Sequence, residues 1–200
     1  ISSFIQNKPN TYFKKLDAEL EISKIEDVAN IQQLSILMHK LNKKNLINNN
    51  EFILANGNPL NKIMFILDSP NSEDIINKKL LSGDAGNLFD KMIQAINLDR
   101  SKIYMCPVIP WKLDHKVKLT ANDIMKYIPF LQKHIEIIKP KVIFLMGRTA
   151  IQGILNNNFD ISKVRSKWIN YKTLNLNYEI PVLASYDPKF LIQKPIFKKE

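Results

Sequence analysis

Two hundred residues make one ordinary domain, or one domain with an appendage. A hydrophobic share of 45% beside 24% charged residues excludes wholesale disorder. No apolar run reaches the ~18 residues of a membrane span, and a lone cysteine, Cys106, excludes an intrachain disulfide or a cysteine-only zinc site.

The formal charge of +10 attracts polyanions. It is discounted by composition: 26 lysines stand against 3 arginines, beside 29 isoleucines and 22 asparagines, the mark of an A/T-rich genome. The three arginines are therefore the more informative cations. The A/T-rich composition points to a bacterial-type protein, expected to be cytoplasmic and without membrane contact, and the visible N-terminus shows no targeting signal.

In chain order, residues 1–55 are polar and predict a helical N-terminal extension, with a helix from about Ile25 to Leu41 carrying Ile25, Val28, Ile31, Leu34, Ile36, Leu37 and Leu41 on a broad apolar stripe. Asn48 to Asn50 and Asn56 to Pro59 predict loops. Residues 56–200 form the main domain. Ile63 to Leu67 is wholly apolar, as a buried parallel strand requires, and ends in the turn cluster Asp68-Ser69-Pro70-Asn71. Ala85 to Ile96 has helical spacing, and Ile103 to Ile109 predicts a second strand. Thr120 to Ile138 predicts one long helix, capped by Thr120 with Asp123 three residues on and closed by Lys139-Pro140. Val142 to Met146 is the third strand, followed by Gly147-Arg148-Thr149-Ala150 and a short helix to Leu155; Pro181 to Ala184 is the fourth. Strands alternating with helices predict an α/β fold, a three-layer α/β/α sandwich around a central four-stranded parallel sheet. The loops after Leu67, Val108, Met146 and Ala184 should then meet in one cleft at the carboxyl ends of the strands.

Those loops carry a pattern. Asp68-Ser69-Pro70-Asn71, Ser82-Gly83-Asp84-Ala85-Gly86-Asn87-Leu88-Phe89-Asp90, Leu98-Asp99-Arg100 and Ile103-Tyr104 come in order. Pro129-Phe130-Leu131, Lys139 to Ile143, Gly147 to Ala150, then Ile161, Arg165, Trp168 and Tyr171, and finally Pro181 to Pro188 follow. Together, over roughly residues 55–195, they resemble the family-4 uracil-DNA glycosylases, in a divergent form. The resemblance implies base excision from DNA, a hydrolysis of the bond between uracil and its sugar, with single-stranded DNA or a flipped base as partner. It places Asp68 where the family carries its catalytic Glu, and Asp187 where it carries His. Ser69, Pro70, Leu81 (at the uracil-stacking Phe), Gly83, Pro107 (at the uracil-reading Asn) and Ser185 fall at the substrate pocket. The family's four iron–sulfur cysteines are absent, two of their positions being Trp111 and Ile128, so no cofactor and no metal are expected.

The chemistry asks for a carboxylate near the developing cation or its attacking water, and for donors aimed at the leaving uracil oxygen. Asp68 supplies the first, or is merely a turn former. Asp187 supplies a donor only when protonated, or else caps the turn or helix after it. Pro107 has neither an amide side chain nor an N–H. For DNA, the Gly147-Arg148-Thr149 helix start offers phosphate-binding amides. Arg165 and Lys167 flank Trp168, Lys189 follows the last motif, and Lys112, Lys116 and Lys118 accompany Trp111 in a strand-binding loop. Cys106 is expected to be a buried apolar residue, and His39, His115 and His134 fall outside the four loops. Three functions compete: a divergent glycosylase with weakened or lost excision but retained nucleic-acid affinity, an active glycosylase with an altered pocket using Asp68, and a non-catalytic scaffold holding a protein partner through the N-terminal helix.

Overall fold

The structure, a computed structural model, describes residues 24–42, 51–113, 120–155, 161–173 and 175–198. Lys116, Lys118 and His115 lie outside the described residues. The described chain runs α1 (Ile31–Asn42), β1 (Asn56–Gly57), β2 (Ile63–Leu67), α2 (Ser72–Asn77), α3 (Gly83–Gln94), β3 (Tyr104–Pro107), α4 (Ala121–Met125) and α5 (Ile128–Ile138). It continues through β4 (Val142–Met146), α6 (Arg148–Leu155), α7 (Ile161–Val164), β5 (Trp168–Tyr171), β6 (Ile180–Ser185) and α8 (Pro188–Gln193), and ends in a 3-10 turn, Pro195–Lys198.

The sheet has six strands in the order β1-β3-β2-β4-β6-β5. The four central strands are the expected parallel set; β1 and β5 are antiparallel additions at the two edges. Side chains alternate across the strands, so Met64, Ile66, Cys106 and Leu145 enter one core with α1, α5 and α6. Phe65, Leu67, Met105 and Met146 enter the other core with α3. The two faces are thereby covered by different helices, which is the three-layer arrangement.

Helix boundaries follow local chemistry. The long helix expected over Thr120 to Ile138 is two: Thr120 and Asp123 form the capping box of α4, but the ladder breaks at Lys126–Tyr127 because Pro129, in the first turn of α5, has no N–H to donate backward. The turn cluster after β2 holds a further helix, α2, whose cap Asn71 accepts from the Asp74 amide at 2.7 Å while Asp74 accepts from the Asn71 amide at 3.0 Å.

Register fixes the rim. Leu67 lies beside Pro107 on one side and Met146 on the other, and Met146 lies beside Ser185. Pro107, Leu67, Met146 and Ser185 thus form one row at the carboxyl ends of the four parallel strands. From β2 the chain crosses to β3 on one side; from β4 it crosses to β6 on the other. The crevice between β2 and β4 is therefore the topological switch point, the place where open α/β sheets bind ligands. Asp68 and Gly147 stand there.

Candidate functional site

Asp68 leaves β2 directly at the switch point. Its carboxylate oxygen Oδ1 accepts the Ala150 amide at 2.8 Å, and the Thr149 amide also donates to it. It therefore sits on the exposed N–H groups of α6, where the helix dipole favours an anion. Gly147 makes the approach feasible: its φ is +114°, and a Cβ there would lie 2.6 Å from Asp68 Oδ2. The amides expected to hold a phosphate hold this side chain instead.

Asp187, which follows β6, faces the same site. Burial raises the Asp68 pKa most, the charge of Asp187 adds to it, and the α6 amides and Lys189 oppose it, leaving Asp68 at about 7. Asp187 is also raised, first by burial, against the opposing charge and amide of Lys189. Both carboxyl groups are thus held above the ordinary carboxylate range, each chiefly by burial, and the charge of Asp187 is a further cause at Asp68. Asp187 also caps α8, its Oδ1 accepting from the Lys189 amide at 2.7 Å.

Lys189 closes the rim. Its ammonium donates to Ser69 O and to Asp74 Oδ2, each at 3.2 Å. Asp74 is almost fully buried and also accepts the Ser82 amide at 2.8 Å. Lys189, placed among the DNA contacts on sequence grounds, is thus a strut between the loops after β2 and β6. Asp74 is the residue that sequence reasoning missed; the Asn71-x-x-Asp74 capping signature was its available signal.

Of the other expected site residues, Arg165 and Ser185 line one open cavity, and the rest do not join them there. Leu81 points into the core beneath α3, 1% exposed, with a left-handed φ of +52°. Arg100 fixes it there by donating to Leu80 O at 2.8 Å and Leu81 O at 2.6 Å, while pairing with Asp90 at 2.5 Å. Pro107 is buried at the end of β3, Pro70 is buried, Gly83 opens α3 with φ +62°, and Ser69 and Ser185 are half-buried on the rim. Lys112 is engaged with Glu51 at 2.7 Å, and Trp111 beside it is a core residue, 1% exposed, which removes it as a stacking surface. Arg148 and Lys167 are exposed, Thr149 and Arg165 half-buried, and Trp168 stands 61% exposed on edge strand β5. Cys106 is buried in β3, its thiol pushed far up by burial, as a packing residue would be.

Residues 54–200 match the Uracil DNA glycosylase superfamily. The chain belongs to that superfamily. Curated relatives include the type-4 uracil-DNA glycosylases of Archaeoglobus fulgidus (28% identical, covering 72% of this chain and 73% of the relative), Sulfurisphaera tokodaii (29%; 72% and 66%) and Saccharolobus solfataricus (27%; 72% and 68%). Superfamily membership puts the chain among the glycosylases of base-excision DNA repair.

The iron–sulfur cluster of the resemblance does not fit this member. One cysteine cannot supply four thiolates, and Cys106 is enclosed in the sheet. At one expected ligand position Trp111 packs against Phe52 and Tyr127, with ring centroids at 5.1 and 5.8 Å; at the other, Ile128 closes on Gly153 of α6. Apolar contact fills the place of the ligands.

Proposed function

We propose that this superfamily member binds DNA and excises uracil weakly, through the Asp68–Asp187 pair rather than through separate carboxylate, amide and imidazole groups. The observation that carries the reading is the placement of Asp68 at the switch point on the first amides of α6, with Asp187 close enough for its charge to raise Asp68 to about 7. With one group ionised and the other neutral, the carboxylate faces the developing sugar cation or its attacking water, and the neutral carboxyl donates toward the leaving uracil oxygen. Pro107 supplies no donor to the base, and loss of such a donor costs ~100- to 1,000-fold in rate. That argues for weak excision. The apolar face of α1 is already buried against α5, which speaks against the scaffold reading through that helix.

The test is single-turnover release of uracil from a single-stranded oligonucleotide, run beside a type-4 relative, with binding measured across salt. Expected are release at least ~100-fold slower than the relative, abolition in Asp68→Asn, and binding that weakens with salt. Release at the relative's rate, or release that survives Asp68→Asn, overturns the catalytic reading. Binding with no salt dependence overturns the nucleic-acid reading.

A further inference from the structure

The chain carries a second concave site beside the carboxylate pair. A cavity of about 270 Å³ opens between α3, the Arg165–Ser166 turn and the C-terminal 3-10 turn. Leu88 and Met92 of α3 give it an apolar wall, with Tyr186 and Phe197 as aromatic walls and Arg165 and Lys198 as cations. Its volume is just under the ~300 Å³ lower end of small-molecule pockets, which suits one nucleotide rather than a longer ligand.

The aromatic walls are fixed before any ligand arrives. Tyr186 stacks on Phe190 with centroids 5.1 Å apart and meets Phe197 at 5.2 Å, while Phe190 meets Phe197 at 5.3 Å. The Arg165 guanidinium lies 5.2 Å from the centre of the Tyr186 ring. Ser166, in the turn that carries Arg165 past the cavity, holds a left-handed φ of +61°, a conformation that costs free energy and that the packing must sustain. Tyr186 immediately precedes Asp187. The cavity and Asp187 therefore share the loop that follows β6.

From this geometry we infer that the cavity holds a neighbouring nucleotide of the same DNA strand, its base between Phe197 and the Leu88–Met92 wall, beside the edge of Tyr186, and its phosphate at Arg165 and Lys198. The occupant is chosen by charge and shape together: aromatic walls take any base by its face, and paired cations select a polyanion over a neutral ring. The inference rests on the DNA-binding part of the proposed function and not on catalysis. It gives the protein hold on the strand without a working base-reading pocket.

The test is photo-crosslinking of a single strand carrying 5-iodouracil, with adducts mapped by mass spectrometry, alongside equilibrium binding of the same strand. Adducts at Tyr186, Phe197 or Met92 are expected. Arg165→Met and Lys198→Gln, each checked for unaltered thermal unfolding, should weaken binding ~5- to 10-fold and lower the salt slope by about one. Adducts confined to other residues, or variants that bind as the parent does, overturn the inference. Uracil release without a cavity adduct sinks this inference alone. A cavity adduct without uracil release supports it and sinks only the catalytic reading.

Discussion

Replacing Asp68 with Asn should stabilise the folded protein above neutral pH while removing whatever excision it performs. The folded-state pKa of about 7 exceeds the ordinary 3.8, so between those values the native state binds more protons than the unfolded chain. Stability contributed by Asp68 is therefore greatest below about pH 4, declines as pH rises, and is fully lost above pH 7. A shift of three pH units corresponds to about 4 kcal/mol as a ceiling. Asp68 stands half-buried at the rim, where water screens part of this, so about 1–2 kcal/mol is expected. Asn keeps an acceptor oxygen for the Ala150 amide, and any cost of replacing the carboxylate there does not vary with pH. The decisive measurement is thus the difference in urea unfolding free energy between Asp68→Asn and the parent, from pH 4 to 8. It should move in favour of the variant by about 1–2 kcal/mol across that range. A difference that stays flat would mean that Asp68 titrates normally and is not raised by burial and Asp187.

Other substitutions probe the scaffold around this site. His134 is buried with Nε2 2.7 Å from the Tyr104 hydroxyl, and burial lowers its pKa from 6.5 to about 3. Its contribution is present above pH 6.5 and lost on acidification toward pH 3, at up to about 1.4 kcal/mol per pH unit, a slope opposite to that of Asp68 that appears in the difference between the parent and a His134 variant across pH. Tyr104→Phe leaves the buried imidazole unpaired and should cost about 1–3 kcal/mol in chemical denaturation. Gly147→Ala forces a Cβ against the Asp68 carboxylate at a positive φ; about 1–3 kcal/mol should be lost, and the pH slope due to Asp68 should shrink with it. Trp111→Ala removes the ring that fills the place of the absent cluster ligand and should cost about 3–5 kcal/mol in thermal or urea unfolding.

What could be read from the sequence was what local pattern determines. The continuous apolar runs at Ile63 to Leu67 and Val142 to Met146 announce strands buried on both faces, and both lie in the sheet centre. The edge strands escape the same test. Asn56–Gly57 has only two residues and turn composition, and Trp168–Tyr171 turns Trp168 and Asn170 toward solvent, as an edge permits. Pro129 marked the break between α4 and α5 in plain sight, but the strong capping signal at Thr120 and the stop at Pro140 made one long helix look sufficient.

The site divides in the same way. Its location at the carboxyl rim follows from strand order, which alternation of elements predicts. The protonation of its groups does not follow, because it depends on partners far away in the chain. Asp68 is held by amides 82 residues on, and the Lys189 ammonium reaches back 115 residues to Asp74. A carboxylate in the last loop looks on paper like the loss of a donor, since an ionised Asp187 would oppose an anionic leaving group. In the folded protein that judgement turns on burial, which raises the pKa of Asp187 and so favours its neutral, donating form. Lys189 works against that form, because its positive charge favours ionisation of both carboxyl groups, and its strut to Asp74 holds the charge in place. Asp74→Asn weakens the strut and also removes a negative charge that raises Asp187, so the freed lysine and the lost charge should together lower the pH at which the site gives up its proton. Release measured against pH in that variant would then fall off earlier than in the parent, and an unchanged profile would show that the strut does not set the charge of the site.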